Sequence, residues 1–293
     1  MSLADVAVVM PAFNNAATIR RALASVAAQT MPPCQVVVVD DGSTDGTTAA
    51  AERCRDVLGR TELILIRQSN QGAGAARNAA LAAATATFVA FLDADDEWLP
   101  TKIEVSLARL SDAGLLYVSH DVLVREPDGR ESVRDCARHF TAAQDPVLAL
   151  GLRGFVGTST VVARRQAVLD ACGFEPSLRA AQDYDLWLRL AMRGRFLVFP
   201  GALMRYHIND QGITANVARR RACSYAVVLR HLDAIAARPG GPRAVLMRTI
   251  IVHMEAANAF VAQGRRLAAL AELIRIIPAL VQVSRRLLVP GRS

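Results

Sequence analysis

A chain of 293 residues, 52% hydrophobic and 21% charged, carries ample material for an apolar core, which argues against a disordered protein. Its five cysteines, Cys34, Cys54, Cys136, Cys172 and Cys223, are odd in number and form no CxxC pair; this argues against a disulfide framework or zinc site and suits a reducing cytoplasm. The net charge of +7 is uneven: residues 205–293 hold 14 arginines against 4 acids, whereas residues 1–204 hold 20 basic and 23 acidic residues.

The apolar run over residues 6–10 follows Asp5 with no basic residue before Arg20, so it predicts a buried strand rather than a signal peptide. Continuous apolar runs over 36–40, 63–67 and 87–92 read as further strands covered on both faces. Helical stretches start between them near Ala16, Asp45 and Gly74, with Ile19, Leu23 and Val26 spaced for one buried face. The first hundred residues thus predict β-α-β-α-β-α-β, the pattern of a parallel sheet flanked by helices.

A helix over 98–110 is expected next, with Pro100 in its first turn. A strand over 115–125, a turn at Pro127-Asp128-Gly129 and a β-branched run over 157–163 follow. A helix over 181–193 then leads into two short strands, 196–199 and 203–207. Beyond residue 215 the pattern is helical, broken at Pro239-Gly240-Gly241-Pro242. In this basic tail Leu267, Leu270, Ile274 and Ile277 recur at helical spacing among Arg265, Arg266, Arg275, Arg285 and Arg286. That is the pattern of a helix packed on the rest of the chain or lying on an anionic membrane. Pro278 breaks the apolar window, so no stretch of the roughly 20 residues needed to span a bilayer is expected. Nucleic acid is not an expected partner, because the basic tail has almost no aromatics to stack on bases.

In a parallel sheet, ligands bind beyond the carboxyl ends of the strands. The second strand ends in Asp40-Asp41-Gly42-Ser43-Thr44-Asp45, where Thr44 or Asp45 suits a helix cap. The fourth ends in Asp93-Ala94-Asp95-Asp96. In an extended segment Asp93 and Asp95 share a face, with Asp96 opposite, and a hard divalent cation would relieve their repulsion. Gln71-Gly72-Ala73-Gly74 resembles a phosphate-cradling glycine loop entering a helix, with Arg77 one turn in. It lacks both the full dinucleotide fingerprint and the Lys-Ser/Thr of a P-loop, which argues against a dehydrogenase or an NTPase.

Taken in order, Val8-Val9-Met10-Pro11-Ala12-Phe13-Asn14, Val38-Val39-Asp40-Asp41-Gly42-Ser43, Asn70-Gln71-Gly72 with Ala76-Arg77-Asn78, and Phe91-Leu92-Asp93-Ala94-Asp95-Asp96 resemble the motifs of glycosyltransferase family 2. The resemblance continues through Gly173-Phe174-Glu175 and Gln182-Asp183-Tyr184-Asp185 to Arg205-Tyr206-His207 and Gly212-Ile213-Thr214, and covers about residues 5–215. It implies the GT-A fold, an α/β fold with a Rossmann-like, mostly parallel central sheet. It further implies an inverting transfer from a nucleotide-diphospho-sugar, UDP-linked by preference, with Mn2+ or Mg2+ as cofactor.

Carried over by motif, Pro11, Ala12, Phe13, Asn14 and Asp41 would border the nucleobase and Arg77 would support that pocket. Asp93 would lie near the ribose and the metal, Ala94 would belong to the nucleotide-sugar site, and Asp95 would ligate the metal. Asp183 would be the catalytic base, although Gln182 stands where the family commonly has Glu, and a helix N-cap is the other reading of Asp183. His207, structural or a ligand, would complete the metal or diphosphate site. The implied organisation is a catalytic domain over 1–215, with a nucleotide-sugar half to about 110 and an acceptor half beyond it, then a basic amphipathic helical extension over 216–293. The implied acceptor is a saccharide or lipid-linked molecule of the bacterial cell envelope, reached in the cytoplasm or from the inner face of the cytoplasmic membrane. A sugar nucleotidyltransferase and a non-catalytic nucleotide-sugar binder are the alternatives; the first normally needs a glycine- and basic-rich loop after strand one, where this chain has Pro11-Ala12-Phe13-Asn14.

Overall fold

The computed structural model describes residues 3–141, 143, 145–154, 156–208 and 216–288. Strands β1 (Ala4–Ala12), β2 (Pro33–Asp40), β3 (Glu62–Arg67) and β4 (Phe88–Phe91) run parallel, joined through helices α1 (Ile19–Ala27), α2 (Thr47–Glu52) and α3 (Ala73–Ala83). The period-2 alternation of β1 and β2 builds a core on each face of the sheet. Val6, Val8, Met10, Val36 and Val38 enter one apolar cluster, while Ala7, Val9, Val37 and Val39 enter the other. Double coverage is why these strands read as unbroken apolar runs.

Next come β5 (Glu97–Trp98), α4 (Lys102–Leu110), β6 (Leu115–Arg125), β7 (Glu131–Arg134), α5 (Arg138–Thr141) and α6 (Pro146–Arg153). A 3-10 turn at Thr158–Thr160, β8 (Val162–Arg164), α7 (Arg165–Asp170), α8 (Gln182–Ala191) and β9 (Arg195–His207) complete the sheet region. The sheet order is β3-β2-β1-β4-β8-β6-β9-β5, with β7 against β6; β8 is antiparallel to both β4 and β6.

Several local expectations change. Pro100 precedes α4 instead of lying inside it, because Glu97 and Trp98 pair with Arg205 and Met204 of β9. The two short strands near 196–207 are one strand whose register shifts opposite Asp121, with Gly201 at φ +105° donating its amide to Asp121 Oδ2 at 2.9 Å. The β-branched run over 157–163 is a 3-10 turn followed by only the start of a strand.

The tail forms α9 (Val217–Arg230), α10 (Leu232–Ala236), α11 (Gly241–Ala262) and α12 (Arg266–Leu288). Val227, Val228, Ile235, Val245 and Val283 join the same apolar cluster as Val9, Phe91, Tyr117 and Trp187 of the sheet region. Polar contacts reinforce this seam. Asp185 of α8 is fully buried and accepts from Arg189, Arg230 and His231, and Arg238 reaches Asp145 at 2.7 Å.

Pro278, expected to break the apolar window, lies inside α12, which runs through it. Proline removes one helix hydrogen bond to the carbonyl four residues back, and both Pro278 and Ile274 are exposed, where solvent can replace it. By length and composition alone α11 and α12 are therefore each apolar enough to cross a membrane, contrary to the sequence reading. In its most apolar window α11 is 44% buried against neighbouring helices, and α12 only 22%.

Burial alone would raise the Asp185 carboxyl, but hydrogen bonding to His231 and the charges of Arg189 and Arg230 outweigh it and leave its pKa below the ordinary value. A carboxyl depressed in the folded state stabilises the fold above its unfolded pKa, and that stability is lost as pH falls through the folded value. Asp185→Ala should cost about 3 kcal/mol in urea unfolding at neutral pH and should flatten the acid limb of stability against pH. A neutral result would remove this seam from the account of how the tail is held.

Candidate active site

The ends of β1, β2 and β4 meet the loop before α3 and the start of α8. The 13–16 loop is zipped to the turn after β2: Asn14 N donates to Ser43 Oγ at 2.9 Å, Thr44 N to Asn14 Oδ1 at 3.0 Å and Ala16 N to Asp45 Oδ2 at 2.9 Å. This geometry holds Asn14 at φ +53° and leaves Phe13 48% exposed at the rim, while Pro11 and Ala12 are buried in β1. Adjacent Asp40 and Asp41 coexist because each is separately satisfied. Asp40 accepts from Ser43 N and Thr48 Oγ1.

Asp41 is buried and accepts from Gln71 N at 2.8 Å, Gly72 N at 2.7 Å and Gln68 Nε2 at 2.8 Å. The amides at the head of the glycine loop are thus spent on Asp41 and do not form an open phosphate cradle. Gly72 is required there for its φ of +94° and because a Cβ would meet the Arg179 guanidinium at 2.8 Å.

Asp93-Ala94-Asp95-Asp96 is a turn, not an extended segment, closed by the Asp96 amide on the Asp93 carbonyl at 3.0 Å. The turn still separates the carboxylates. Asp93 Oδ1 accepts from Arg77 NH2 at 2.5 Å, the half-buried Asp95 has its carbonyl held by Arg21 at 2.5 Å, and Asp96 points inward. Burial, then the charges of Asp93 and Asp95, raise the Asp96 carboxyl well above its usual value, and Ser159 Oγ lies 2.5 Å from it. Ser159 also takes the Asp93 amide and, through its carbonyl, the indole N–H of Trp98.

Arg77 is only 3% exposed, stacks at 5.3 Å over Phe174, and has Nε and NH1 buried without a partner. It lines a cleft of ≈ 670 Å³ together with Asp93, Thr158, Gln182 and Asp183. Asp183 lies in the first turn of α8, where the helix dipole favours a carboxylate. The cap is Ala181, at φ +57°, so the N-cap reading of Asp183 does not hold. A non-glycine residue in the left-handed region stores strain, here two residues before Asp183. Asp183 accepts from Tyr184 N at 2.8 Å and Thr158 Oγ1 at 3.1 Å. Burial raises its pKa; Arg77 and these donors oppose the shift, and Asp93 adds to it. Gln182 is 4% exposed, so an amide rather than a second carboxylate avoids another buried charge beside Asp183.

His207, at the end of β9, contacts Glu97 Oε2 through Nε2 at 3.2 Å; burial and nearby Arg21 lower its pKa. Among the described residues no group of three His, Cys, Asp or Glu side chains is assembled for a metal ion. Gly212, Ile213 and Thr214 lie outside the described residues.

Sequence reading missed Thr158, Ser159 and Arg21, whose roles depend on contacts 25 to 74 residues away in the chain. The hydroxyl triplet Thr158-Ser159-Thr160 after Gly157 was the available signal, hidden by its β-branched character.

The profile described as "Glycosyl transferase family 2" matches residues 7–169, more than half of the chain. Succinoglycan biosynthesis protein ExoO of Rhizobium meliloti is 33% identical over 243 residues, covering 80% of this chain and 66% of the relative; the chain thus spans just under two thirds of ExoO. Amylovoran biosynthesis glycosyltransferase AmsB of Erwinia amylovora is 31% identical, with 69% of each chain covered. Putative teichuronic acid biosynthesis glycosyltransferase TuaG of Bacillus subtilis is 28% identical, covering 72% of this chain and 82% of its own. Mannosyltransferase PcManGT from Pyrobaculum calidifontis, solved with GDP-Man and Mn2+, has a TM-score of 0.63 at 21% identity, covering 100% of this chain and 89% of that one. S. aureus TarS 1-349, solved with UDP, has a TM-score of 0.57 at 20% identity, covering 96% and 91%. This chain belongs to glycosyl transferase family 2 and is a glycosyltransferase built on the GT-A fold.

Proposed function

We propose that the enzyme moves a sugar, with inversion at the anomeric carbon, from a nucleotide-diphospho-sugar, UDP-linked by preference, to a hydroxyl of a saccharide or lipid-linked acceptor. The pathway class is bacterial cell-envelope polysaccharide, lipopolysaccharide or glycolipid synthesis, in line with relatives named for succinoglycan, teichuronic acid and amylovoran. The observation that carries the chemistry is the meeting in one cleft of Asp183, its pKa raised by burial, with the Arg77–Asp93 pair. Bound UDP in TarS and bound GDP-Man with Mn2+ in PcManGT support a nucleotide-sugar donor. Membership of the family displaces the nucleotidyltransferase alternative.

Oxygen donors at the turn after β4 fit a hard ion such as Mn2+ or Mg2+, which often keeps few protein ligands and completes its shell with phosphate and water. Asp95 would hold it; His207 would have to offer Nδ1, because Nε2 faces Glu97. The ion supplies positive charge against the leaving diphosphate. Pro11 to Asn14 and Asp41 shape the nucleobase end, and Ala94 anchors the turn in the apolar core beneath it. Asp183 takes the acceptor proton while the new glycosidic C–O bond forms and the bond to the diphosphate breaks, the electron pair leaving with the nucleotide.

The tail supplies the proposed membrane contact. On α12, Leu267, Leu270, Ile274, Ile277, Val281 and Leu288 are all exposed, Leu267 at 85%. At 100° per residue they fall on one face, away from the buried Ala269, Ala279 and Val283. With Arg266 and Arg285 bordering this face, we assign it to the anionic inner surface of the cytoplasmic membrane.

Asp183→Asn should lower kcat by about 10²- to 10⁴-fold while donor binding persists; wild-type turnover by the variant would remove Asp183 from this role. Saturable donor binding by the wild type, without transfer or hydrolysis across acceptors, would favour a non-catalytic binder. Since Asp183 acts ionised and its pKa is raised from 3.8, wild-type kcat/KM should fall as pH drops through a value above that of an ordinary aspartate. In a thermal-shift screen of UDP-, GDP- and dTDP-sugars, Mn2+-dependent stabilisation should be largest with a UDP-sugar and lost in Asp95→Ala; retention of the Mn2+ effect in that variant would place the ion elsewhere. Ile274→Glu combined with Ile277→Glu should abolish sedimentation with anionic vesicles, and unchanged sedimentation would rule out α12 as the contact.

A further inference from the structure

The catalytic cleft does not end at Asp183. Its far wall is built from the tail, the end of α6 and β7: Arg134 of β7, Arg153 at the end of α6, Arg220 of α9 and Arg248 of α11 all line it. Against them on that wall stands one acid, Glu255, 3.3 Å from Arg248. Arg134, Arg153 and Arg220 have no ion-pair partner among the described residues. Arg248 is only 6% exposed, yet its Nε has no hydrogen-bond partner. Its guanidinium is held in place over the Tyr184 ring at 5.2 Å and by the Arg153 carbonyl at 3.5 Å. Gly154, at φ +67°, packs beside it, its Cβ position in ordinary contact with Arg248 NH2 and the Tyr184 ring at 3.4 Å. Burying a guanidinium with a free donor is costly unless a ligand supplies the acceptor.

We propose that this wall is an oxyanion site for the acceptor, and that the acceptor carries a diphosphate near the hydroxyl that is glycosylated. This rests on the glycosyl-transfer reading and extends it to the acceptor's class. The location argues for acceptor over donor: Arg248 stacks on Tyr184, the residue after Asp183, and the base must face the acceptor, opposite the leaving group. The charge argues for a diphosphate over a carboxylate, because three arginines without ion-pair partners exceed what one monoanion neutralises. Arginine forks match phosphate oxygens bidentately.

The test uses the full-length protein saturated with UDP and Mn2+, titrated with geranyl diphosphate, inorganic pyrophosphate, geraniol and glucuronate, with calorimetry as readout. A diphosphate should bind this complex, and Arg220→Gln and Arg248→Lys should each weaken that binding by at least about tenfold while UDP affinity stays unchanged. Tighter binding of geranyl diphosphate than of pyrophosphate assigns the group to a lipid carrier, and equal binding assigns it to a soluble phosphorylated acceptor; both support the site. Glucuronate binding as tightly as diphosphate, or unchanged diphosphate affinity in the variants, would overturn it. If Arg248→Lys fails to fold, the half-buried Arg220→Gln decides alone. Failure of UDP itself to bind would overturn the underlying donor reading, and is recognised before any diphosphate is added.

Discussion

Carboxylates gathered at the ends of parallel strands repel one another, and much of this cleft follows from how that repulsion is relieved. Asp40 and Asp41 are neighbours in the chain, yet one is taken by the turn that follows it and the other by amides 30 residues away. Asp93 is met by Arg77, and Asp96 is turned into the core against Ser159 with its pKa raised. Each solution also fixes a loop. The Asp41 bonds close the glycine loop onto β2, and the Ser159 bonds tie the turn after β4 to the 3-10 turn at Thr158–Thr160. Charge neutralisation and loop geometry are here one set of contacts.

Arg77 is the hinge of this arrangement. It sits one turn into α3, buried between the ring of Phe174 and the carboxylate of Asp93, and its charge also counters the burial of Asp183. Two of its nitrogens remain unpartnered, as do Gln182 Oε1 and Arg248 Nε in the same cleft. The cation therefore links Asp93 and Asp183 electrostatically. Burial raises the pKa of Asp183 and the Arg77 guanidinium opposes that rise, and a carboxylate with a raised pKa is a better proton acceptor when ionised.

The C-terminal helices are part of the catalytic body. They share an apolar cluster with the sheet, bury Asp185 against Arg230 and His231, and contribute Arg220 and Arg248 to the cleft. A second buried acid, Glu272, gathers His253, Arg221 and Arg275, locking α12 to α9 and α11. With its inner face occupied in this way, α12 presents the remaining apolar stripe outward. The same helix pair thus lies between the arginine-lined wall of the cleft and this apolar stripe.

The order of strands and helices through residue 110 was legible because strands buried on both faces write continuous apolar runs, and helices between them write a 3.6-residue period. Local sequence also singled out Asp93, Asp95, Arg77 and Asp183, since strand ends and helix starts are where a parallel sheet exposes function. It misjudged Pro100, the β9 bulge and Pro278, where pairing with a distant strand or exposure to solvent overrode a local rule. What the chain determined by itself was the sheet, the family and the acidic ends of its strands, because each rests on short-range pattern. Only tertiary structure decided that Asp41 closes a loop, that Ser159 and Thr158 brace the carboxylates, and that arginines from the tail complete the cleft. The bonds to Asp41, Asp96 and Asp183 join residues 25 to 63 positions apart, at spacings that no sequence period records.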